Sequence, residues 1–138
     1  LHPERAALIE TCGATQHVIS YSELATRVSS GAAFLQEHGL RRGQAILVFQ
    51  PVSIALYEIL LAAFHAGLQV ILADPANGRK FLGLCCTRLT PAAFFGPWRA
   101  HCLRLAVPEM RGIGVNICSS AWFPGTKLWR VCDEALPL

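Results

Sequence analysis

The stretch HAGLQVILADP, residues 65–75, contains the end of one element, a second complete element and a turn. His65-Ala66-Gly67 is typical of a helix end, because glycine readily adopts the left-handed conformation that closes a helix. Residues 68–73 are apolar enough to predict a strand buried on both faces. Asp74-Pro75 then predicts a turn just past the carboxyl end of that strand, where ligands bind in open α/β sheets.

The same alternation of helix and strand extends toward the N-terminus. Ser20 followed by Glu23 forms a capping box, and Gly39 predicts where that helix ends. A continuous apolar run at 45–49 predicts a buried strand, and Ser53 predicts the cap of the helix that ends at Gly67. The apolar runs at 6–9 and 17–19 flank a turn around Gly13 and predict a small β-hairpin.

Toward the C-terminus, the pattern continues to about residue 118. Helical spacing of apolar residues follows the Asp-Pro turn, and Pro91 to Phe95 predicts a short strand. Pro97 is well placed in the first turn of another helix, and Ile113 to Cys118 predicts one more strand. Residues 119–138 carry no clear pattern. The predicted fold is one α/β domain over 1–138, with a mostly parallel sheet, flanking helices and an N-terminal hairpin.

Composition limits the classes of function. The chain has 138 residues, of which 53% are hydrophobic and 15% charged, with mean hydropathy +0.40. Ordinary domains have about 25% charged residues, so this composition predicts buried elements or apolar surface that another part of a larger protein covers. The apolar tract at 45–73 is interrupted by Pro51, Glu58, His65 and Gly67, which favours two strands around a helix over a membrane span.

Charge and cysteine usage exclude further classes. The net charge of +3 comes from scattered lysines and arginines, without the basic face of a nucleic-acid binder. The six cysteines include no C-x-x-C pair, which favours a reduced, cytoplasmic protein over a zinc or disulfide protein. The start, Leu1 to Arg5, has neither a methionine nor a signal-peptide pattern, and we expect it to lie inside a longer chain.

Three motifs in order resemble the beginning of the AMP-forming acyl-adenylating enzymes, a superfamily that includes acyl-CoA synthetases, adenylation domains of peptide synthetases and luciferases. Ser20-Tyr21-Ser22-Glu23-Leu24 is similar to its first block, GLRRGQAILV (39–48) to its turn and strand, and FHAGLQVILADP (64–75) to its second block. Gln44 and Phe64-His65 depart from the usual residues. The segment after Gly78 is similar to a branch with β-lactone synthetases of olefin biosynthesis and fatty-acyl-CoA-ligase-like proteins.

The resemblance implies a parent enzyme that activates a carboxylic acid, in particular a fatty acid, with ATP and Mg²⁺ and passes the acyl group to CoA or another acceptor. The phosphate-binding loop of the family is rich in Thr, Ser and Gly and ends in Pro-Lys. Gly125-Thr126-Lys127 is the sole candidate here, and one glycine in an ordinary turn is a poor match. We therefore assign no catalytic, cofactor-binding or metal residue, and expect a domain truncated before that loop and inactive alone.

Several other residues are of types that occur in catalytic or binding sites, but a local structural role explains each of them better. Asp74 is interpreted as a structural turn residue, and His65 as a favourable charge near a helix C-terminus. His101-Cys102 are neighbours on a predicted helix and point about 100° apart, so they do not form a nucleophile pair. Cys85-Cys86 is interpreted as core packing rather than as a redox pair. Gly112-Ile113-Gly114 lacks the third glycine of a dinucleotide fingerprint, because Ile117 occupies that position.

Three hypotheses follow for function. The first is an N-terminal scaffold of an acyl-adenylating ligase, whose partner is the remainder of the parent chain. The second is a non-enzymatic truncated domain that self-associates or binds a protein through exposed apolar surface. The third is a small nucleotide-binding protein, which would need a phosphate loop that the sequence does not provide.

Overall fold

A parallel β-sheet organises the chain, as the alternating pattern predicts. The computed structural model describes residues 2–120 and 123–130. In that part of the chain, a hairpin of β1 (Ala6–Cys12) and β2 (Thr15–Ser20) precedes the sheet. The sheet strands are β3 (Ala45–Val48), β4 (Gln69–Leu72), β5 (Ala93–Gly96), β6 (Val115–Cys118) and β7 (Lys127–Leu128).

Four α-helices connect these strands in the described residues. They are α1 (Tyr21–Glu37), α2 (Ile54–His65), α3 (Gly78–Leu89) and α4 (Trp98–Ala106), and short 3₁₀ helices occupy Pro75–Asn77 and Pro108–Gly112. None of these helices is long and apolar enough to cross a membrane. The predicted α/β class and the hairpin are therefore confirmed.

The strand order of the parallel sheet is β4-β3-β5-β6-β7. The chain therefore passes from β3 to one edge and then crosses back over β3 to reach β5. Leu47 of β3 pairs with Ile71 of β4 on one side and with Phe94 of β5 on the other. This order places β3 and β5 in the middle of the sheet, where every residue of both strands is buried.

The edge strand β4 departs from its prediction. The sequence predicts a strand buried on both faces over 68–73, but β4 spans Gln69–Leu72, and its two end residues are exposed. An apolar run cannot distinguish a central strand from an edge strand, because the order of strands is not encoded in the hydropathy of any one of them.

Side chains alternate between two cores because successive strand residues point to opposite faces. Ile46, Val48 and Phe95 pack with α1 and α2 on one face. Leu47 and Phe94 pack with α3, α4 and the Pro108–Gly112 helix on the other. The sheet is therefore covered on both faces, as expected for a doubly wound α/β domain.

The predicted helix signals are present. Ser20 Oγ accepts from Glu23 N at 3.2 Å, and Ser53 Oγ accepts from Leu56 N at 3.2 Å. Gly39 (φ 88°) and Gly67 (φ 79°) follow α1 and α2 in the left-handed conformation. The local sequence therefore determines where both helices begin and end.

Part of the stretch 119–138, in which the sequence shows no clear pattern, contributes to the core. Among residues 119–138, the structure describes 119–120 and 123–130, which include β7 and the buried Trp129. The Trp129 ring meets Phe34 of α1 and Phe95 of β5 edge-on, with centroids 5.2 and 5.3 Å apart. Short strands with one buried aromatic residue give little periodic signal, which explains why the sequence pattern missed them.

Candidate functional site

The candidate site lies at the carboxyl edge of the sheet, between β3 and β5. These strands are adjacent, but the chain leaves β3 toward α2 on one face and leaves β5 toward α4 on the other. Such a reversal is the topological switch point at which open α/β sheets form a ligand crevice. The three segments that meet there are 49–53, 96–98 and 119–120.

Hydrogen bonds hold these segments together. Phe49 N donates to Phe95 O at 2.8 Å, and Ser119 N donates to Gly96 O at 3.0 Å. Ser119 Oγ also donates to Gln50 Oε1 at 2.8 Å, which joins the loop after β3 to the loop after β6. The edge is therefore a connected polar rim rather than three independent loops.

Gly96 allows the closest backbone approach at this edge. A Cβ on residue 96 would lie 2.8 Å from Phe49 O and 2.8 Å from Ala100 Cβ. Contacts of that length are shorter than carbon and oxygen tolerate, so any other residue would push β3 and α4 away from each other. The glycine thus sets the spacing between the two sides of the switch point.

The N-terminus of α4 opens onto the same rim. Trp98 N donates to Ser120 Oγ at 3.1 Å, since the N-cap residue, Pro97, provides no side-chain acceptor. The Arg99 guanidinium lies over the Trp98 ring, 5.4 Å from its centroid. The first N–H of α4 is therefore satisfied by a side chain from the loop that follows β6.

His101 is structural in this geometry. It is fully buried, its Nε2 donates to Ile117 O at 2.8 Å, and Nδ1 has no partner among the described residues. Burial lowers the pKa of His101 below its ordinary value of 6.5, with Arg104 adding to the effect against the raising influence of the Ile117 and Gly96 carbonyls. The ring is therefore held neutral. Cys102 is exposed, so the two do not form a nucleophile pair.

Asp74 and His65 both lie at the ends of local elements, as the sequence predicts. Asp74 Oδ1 accepts from Ala76 N at 2.9 Å, which caps the short helix Pro75–Asn77. His65 is exposed in the last turn of α2, where a cation interacts favourably with the helix dipole. The segment that most resembles the family is thus engaged in local structure at its Asp-Pro turn.

The paired cysteines and the glycine pair are also structural. Cys85 and Cys86 are buried free thiols, and burial, followed by the charges of Cys85 and Glu109, raises the pKa of Cys86. A raised thiol pKa lowers the fraction of reactive thiolate. Gly112 ends a 3₁₀ helix and Gly114 precedes β6, the reverse of the strand-to-helix order that a dinucleotide fingerprint requires.

The turn before β7, which is the candidate phosphate-binding loop, is closed by hydrogen bonds of its own. In the turn before β7, Thr126 Oγ1 is already engaged with the backbone of Phe123, both as donor to its oxygen and as acceptor from its nitrogen. Lys127 begins β7 directly after this turn. Within 2–120 and 123–130, no three His, Cys, Asp or Glu side chains are grouped to hold a metal. No chemical step is therefore assigned to these residues.

Sequence reasoning missed the polar rim of Gln50, Ser119 and Ser120. The signal was present, because Gln50 and Ser119 each come just after a buried apolar strand. What the sequence could not supply is that β6 lies beside β5 and that its end comes within hydrogen-bonding distance of the loop after β3. That proximity depends on strand order.

Comparison with known proteins supports the assignment reached from the motifs. A family model described as AMP-binding enzyme matches residues 1–120. The chain is 35% identical over 78 residues to the olefin β-lactone synthetase of Xanthomonas campestris pv. campestris, covering 56% of this chain and 14% of that protein. It is 33% identical over 98 residues to pyochelin synthase PchD of Pseudomonas aeruginosa, covering 71% of this chain and 17% of that protein.

The fold has a close counterpart among solved structures. Acetoacetyl-CoA synthetase from Streptomyces lividans superimposes with a TM-score of 0.77 at 21% identity, over 92% of this chain and 22% of that one. At this identity the likeness establishes the fold alone. The chain thus spans between 14% and 22% of the length of these relatives. The match to the family model over residues 1–120 shows that the chain belongs to the AMP-binding enzyme family, whose N-terminal region it carries.

Proposed function

We propose that this chain is the N-terminal part of an ATP-dependent, AMP-forming carboxylic acid ligase, with a fatty acid as the class of acid. The observation that supports this most is the combination of a family match over residues 1–120 with alignments that cover no more than about a fifth of each relative. The parent enzyme would join a carboxylate to the AMP portion of ATP, release pyrophosphate, and transfer the acyl group to CoA or another acceptor.

The role proposed for the chain itself is that of a scaffold. The hydrogen bonds from Ser119 to Gln50 and to Gly96 join three loops at the carboxyl edge of the sheet. Such an edge is where later segments could place a ligand between themselves and the sheet. ATP and Mg²⁺ are proposed to bind to the parent enzyme, through residues outside this chain. The free, buried Cys85, Cys86 and Cys118 agree with a reducing, cytoplasmic location.

ATP–pyrophosphate exchange tests the proposal. The 138-residue chain should give no exchange above background with fatty acids of several lengths, because the described residues hold no group of three metal ligands and Thr126, in the candidate phosphate loop, is bonded to Phe123. The same chain extended along its reading frame should give exchange that depends on the acid. Exchange by the chain alone would contradict the scaffold role, and its absence from every extended chain would contradict the ligase assignment.

A second candidate function is supported by exposed apolar side chains on several elements, including Val52, Phe64 and Leu105. A truncated, non-enzymatic domain could use such surface to bind another copy or another protein. Light scattering during size-exclusion chromatography distinguishes the two candidates. A monomer across a wide concentration range favours the scaffold, and a stable dimer of the chain favours association.

A further inference from the structure

Charge is distributed unequally between the two faces of the sheet. Helices α1 and α2, on one face, carry three acidic residues and one arginine. Helices α3 and α4, on the other face, carry five lysines and arginines and no acidic residue. Within the described part of the chain, none of these five cations forms an ion pair. The fold therefore gathers on one face cations that are scattered along the sequence.

The outer side of α3 alternates cations with apolar residues. Lys80, Leu84 and Arg88 follow one another at i, i+4 and i+8, and all three are exposed. They lie on the side opposite the buried Leu82, because residues four apart share one side of a helix. Phe81, three residues before Leu84, is exposed as well. Leu84 therefore lies between two cations on a surface that water can reach.

The outer side of α4 carries a similar mixture. Trp98, Cys102 and Leu105 are exposed at i, i+4 and i+7, on the side opposite the buried Ala100. The exposed Arg99 has its guanidinium over the Trp98 ring, 5.4 Å from the centroid. A cation thus lies directly beside the largest exposed apolar side chain of this helix.

The two outer sides face the same direction. Both helices pack on the same core, and the 3₁₀ helix Pro108–Gly112 contacts both of them. Glu109, the acidic residue of that short helix, lies against the buried Gly83 of α3, where a Cβ would be 3.0 Å from Glu109 Cδ. Its carboxylate is therefore set against the inner side of α3. We use the name α3–α4 face for the outward residues Lys80, Leu84, Arg88, Trp98, Arg99 and Leu105.

The combination of cations and apolar residues indicates the kind of partner. Nucleic acid would engage the cations through its phosphates, but Leu84, Leu105 and the Trp98 ring would remain in water. An apolar protein surface would leave Lys80 and Arg88 without counter-charges. A bilayer that contains anionic lipid attracts lysine and arginine to its headgroups, and the interface below accepts Trp and Leu. Such an interface complements both kinds of side chain.

We propose that the α3–α4 face docks on the surface of a membrane that contains anionic lipid. The contact is peripheral, since none of the described helices is long and apolar enough to cross a membrane. The apolar residues of the face would enter the region between headgroups and acyl chains, and its cations would stay at the headgroups. This inference goes beyond the proposed ligase function and does not depend on it.

Co-sedimentation with vesicles tests the proposal. The 138-residue chain should bind vesicles of equal parts phosphatidylserine and phosphatidylcholine, and should bind phosphatidylcholine alone roughly tenfold more weakly or less. Lys80→Gln with Arg88→Gln should lower the partition coefficient on the anionic vesicles about 30-fold, because each cation near such a surface contributes about fivefold. Leu84→Ser with Leu105→Ser should also lower it, but without changing its dependence on salt.

A matched control separates the face from net charge. Arg41→Gln with Arg42→Gln removes the same two charges from the exposed turn between α1 and β3, and should leave the partition coefficient almost unchanged. Trp emission should move to shorter wavelength with anionic vesicles, and Trp98→Phe should abolish that shift while preserving binding. Far-ultraviolet circular dichroism checks that each variant folds.

Four outcomes would overturn the proposal. Equal binding to the two kinds of vesicle would exclude recognition of anionic lipid. An equal loss with the control pair at residues 41 and 42 would mean that net charge, and not this face, attracts the chain. A chain extended along its reading frame that binds no vesicles would show that the face is covered in the longer protein. Tighter binding to duplex DNA, lost with the Lys80 and Arg88 pair but not with the leucine pair, would make nucleic acid the partner.

Discussion

Helices α1 and α2 lie side by side on the same face of the sheet and contact each other, yet their outer sides are opposite in character. Both are capped by a serine and followed by a left-handed glycine. Helix α1 is solvated by polar residues, whereas α2 exposes Tyr57, Leu61 and Phe64 and buries its carboxylate. The local signals of a helix are therefore independent of its surroundings. Only the residues on the outer side of a helix indicate whether that side faces water or other protein.

The largest loss of stability is expected when the cation between α1 and α2 is removed. In Arg27→Met, the Glu58 carboxylate would stay buried without the guanidinium that lies 2.6 Å away. Because Arg27 is only partly buried, we expect the free energy of unfolding to fall by about 3 kcal/mol, at the lower end of the loss seen when one member of a buried pair is removed. Urea denaturation followed by circular dichroism measures the change.

The double variant Arg27→Met with Glu58→Leu is the control. Replacing both members with apolar residues of similar volume is often neutral or stabilising. We therefore expect it to recover most of the lost stability. A double variant as unstable as Arg27→Met alone would show that packing around residue 27, rather than the orphaned charge, accounts for the loss.

A smaller effect is expected at Gly31, where α1 has no room for a side chain against α2. A Cβ on Gly31 would lie 2.7 Å from Trp129 Cη2 and 2.9 Å from Ala62 Cβ. Gly31→Val should therefore separate α1 from α2 and from the Trp129 ring, at a cost of about 1–3 kcal/mol from overpacking. Near-ultraviolet circular dichroism, which reports the Trp environment, should change together with Tm.

Ala33→Val provides the comparison for that variant. Residue 33 is exposed on the same helix, so the substitution carries only the lower helix propensity of valine, about 0.5 kcal/mol. Equal losses for the two variants would mean that the close contact at Gly31 does not limit the approach of the helices.

The smallest effects concern the caps, where the two helices are most alike. Ser20→Ala and Ser53→Ala each remove one acceptor, for Glu23 N and for Leu56 N, both at 3.2 Å. We expect each to lower the free energy of unfolding by about 1 kcal/mol. Ser20→Asp and Ser53→Asp should retain the stability, because aspartate also accepts at an N-cap. A clearly larger effect at one helix would show that its cap does more than satisfy a backbone N–H.

The sequence by itself determined the ends of α1 and α2, the places of β1 to β6 along the chain and the family resemblance, because these depend on short local motifs and their order. The Ser20 cap, Gly67 and the Asp74-Pro75 turn act within a few residues, and each is found where the sequence predicts it. The order of these motifs also carried the resemblance to adenylating enzymes. Local chemistry is sufficient for such features, since the atoms that interact are adjacent in sequence.

Only the tertiary structure decided which strand lies at the edge, which polar residues meet, and which side of α2 is left uncovered. The strand order joins Ser119 to Gln50 across 69 positions, and the packing of α1 on α2 pairs Arg27 with Glu58 across 31. The hydropathy of the sequence indicates that β4 and the outer side of α2 are apolar, but it does not indicate which elements they contact. Burial is a property of the assembled chain, because it depends on which distant elements come to lie against one another.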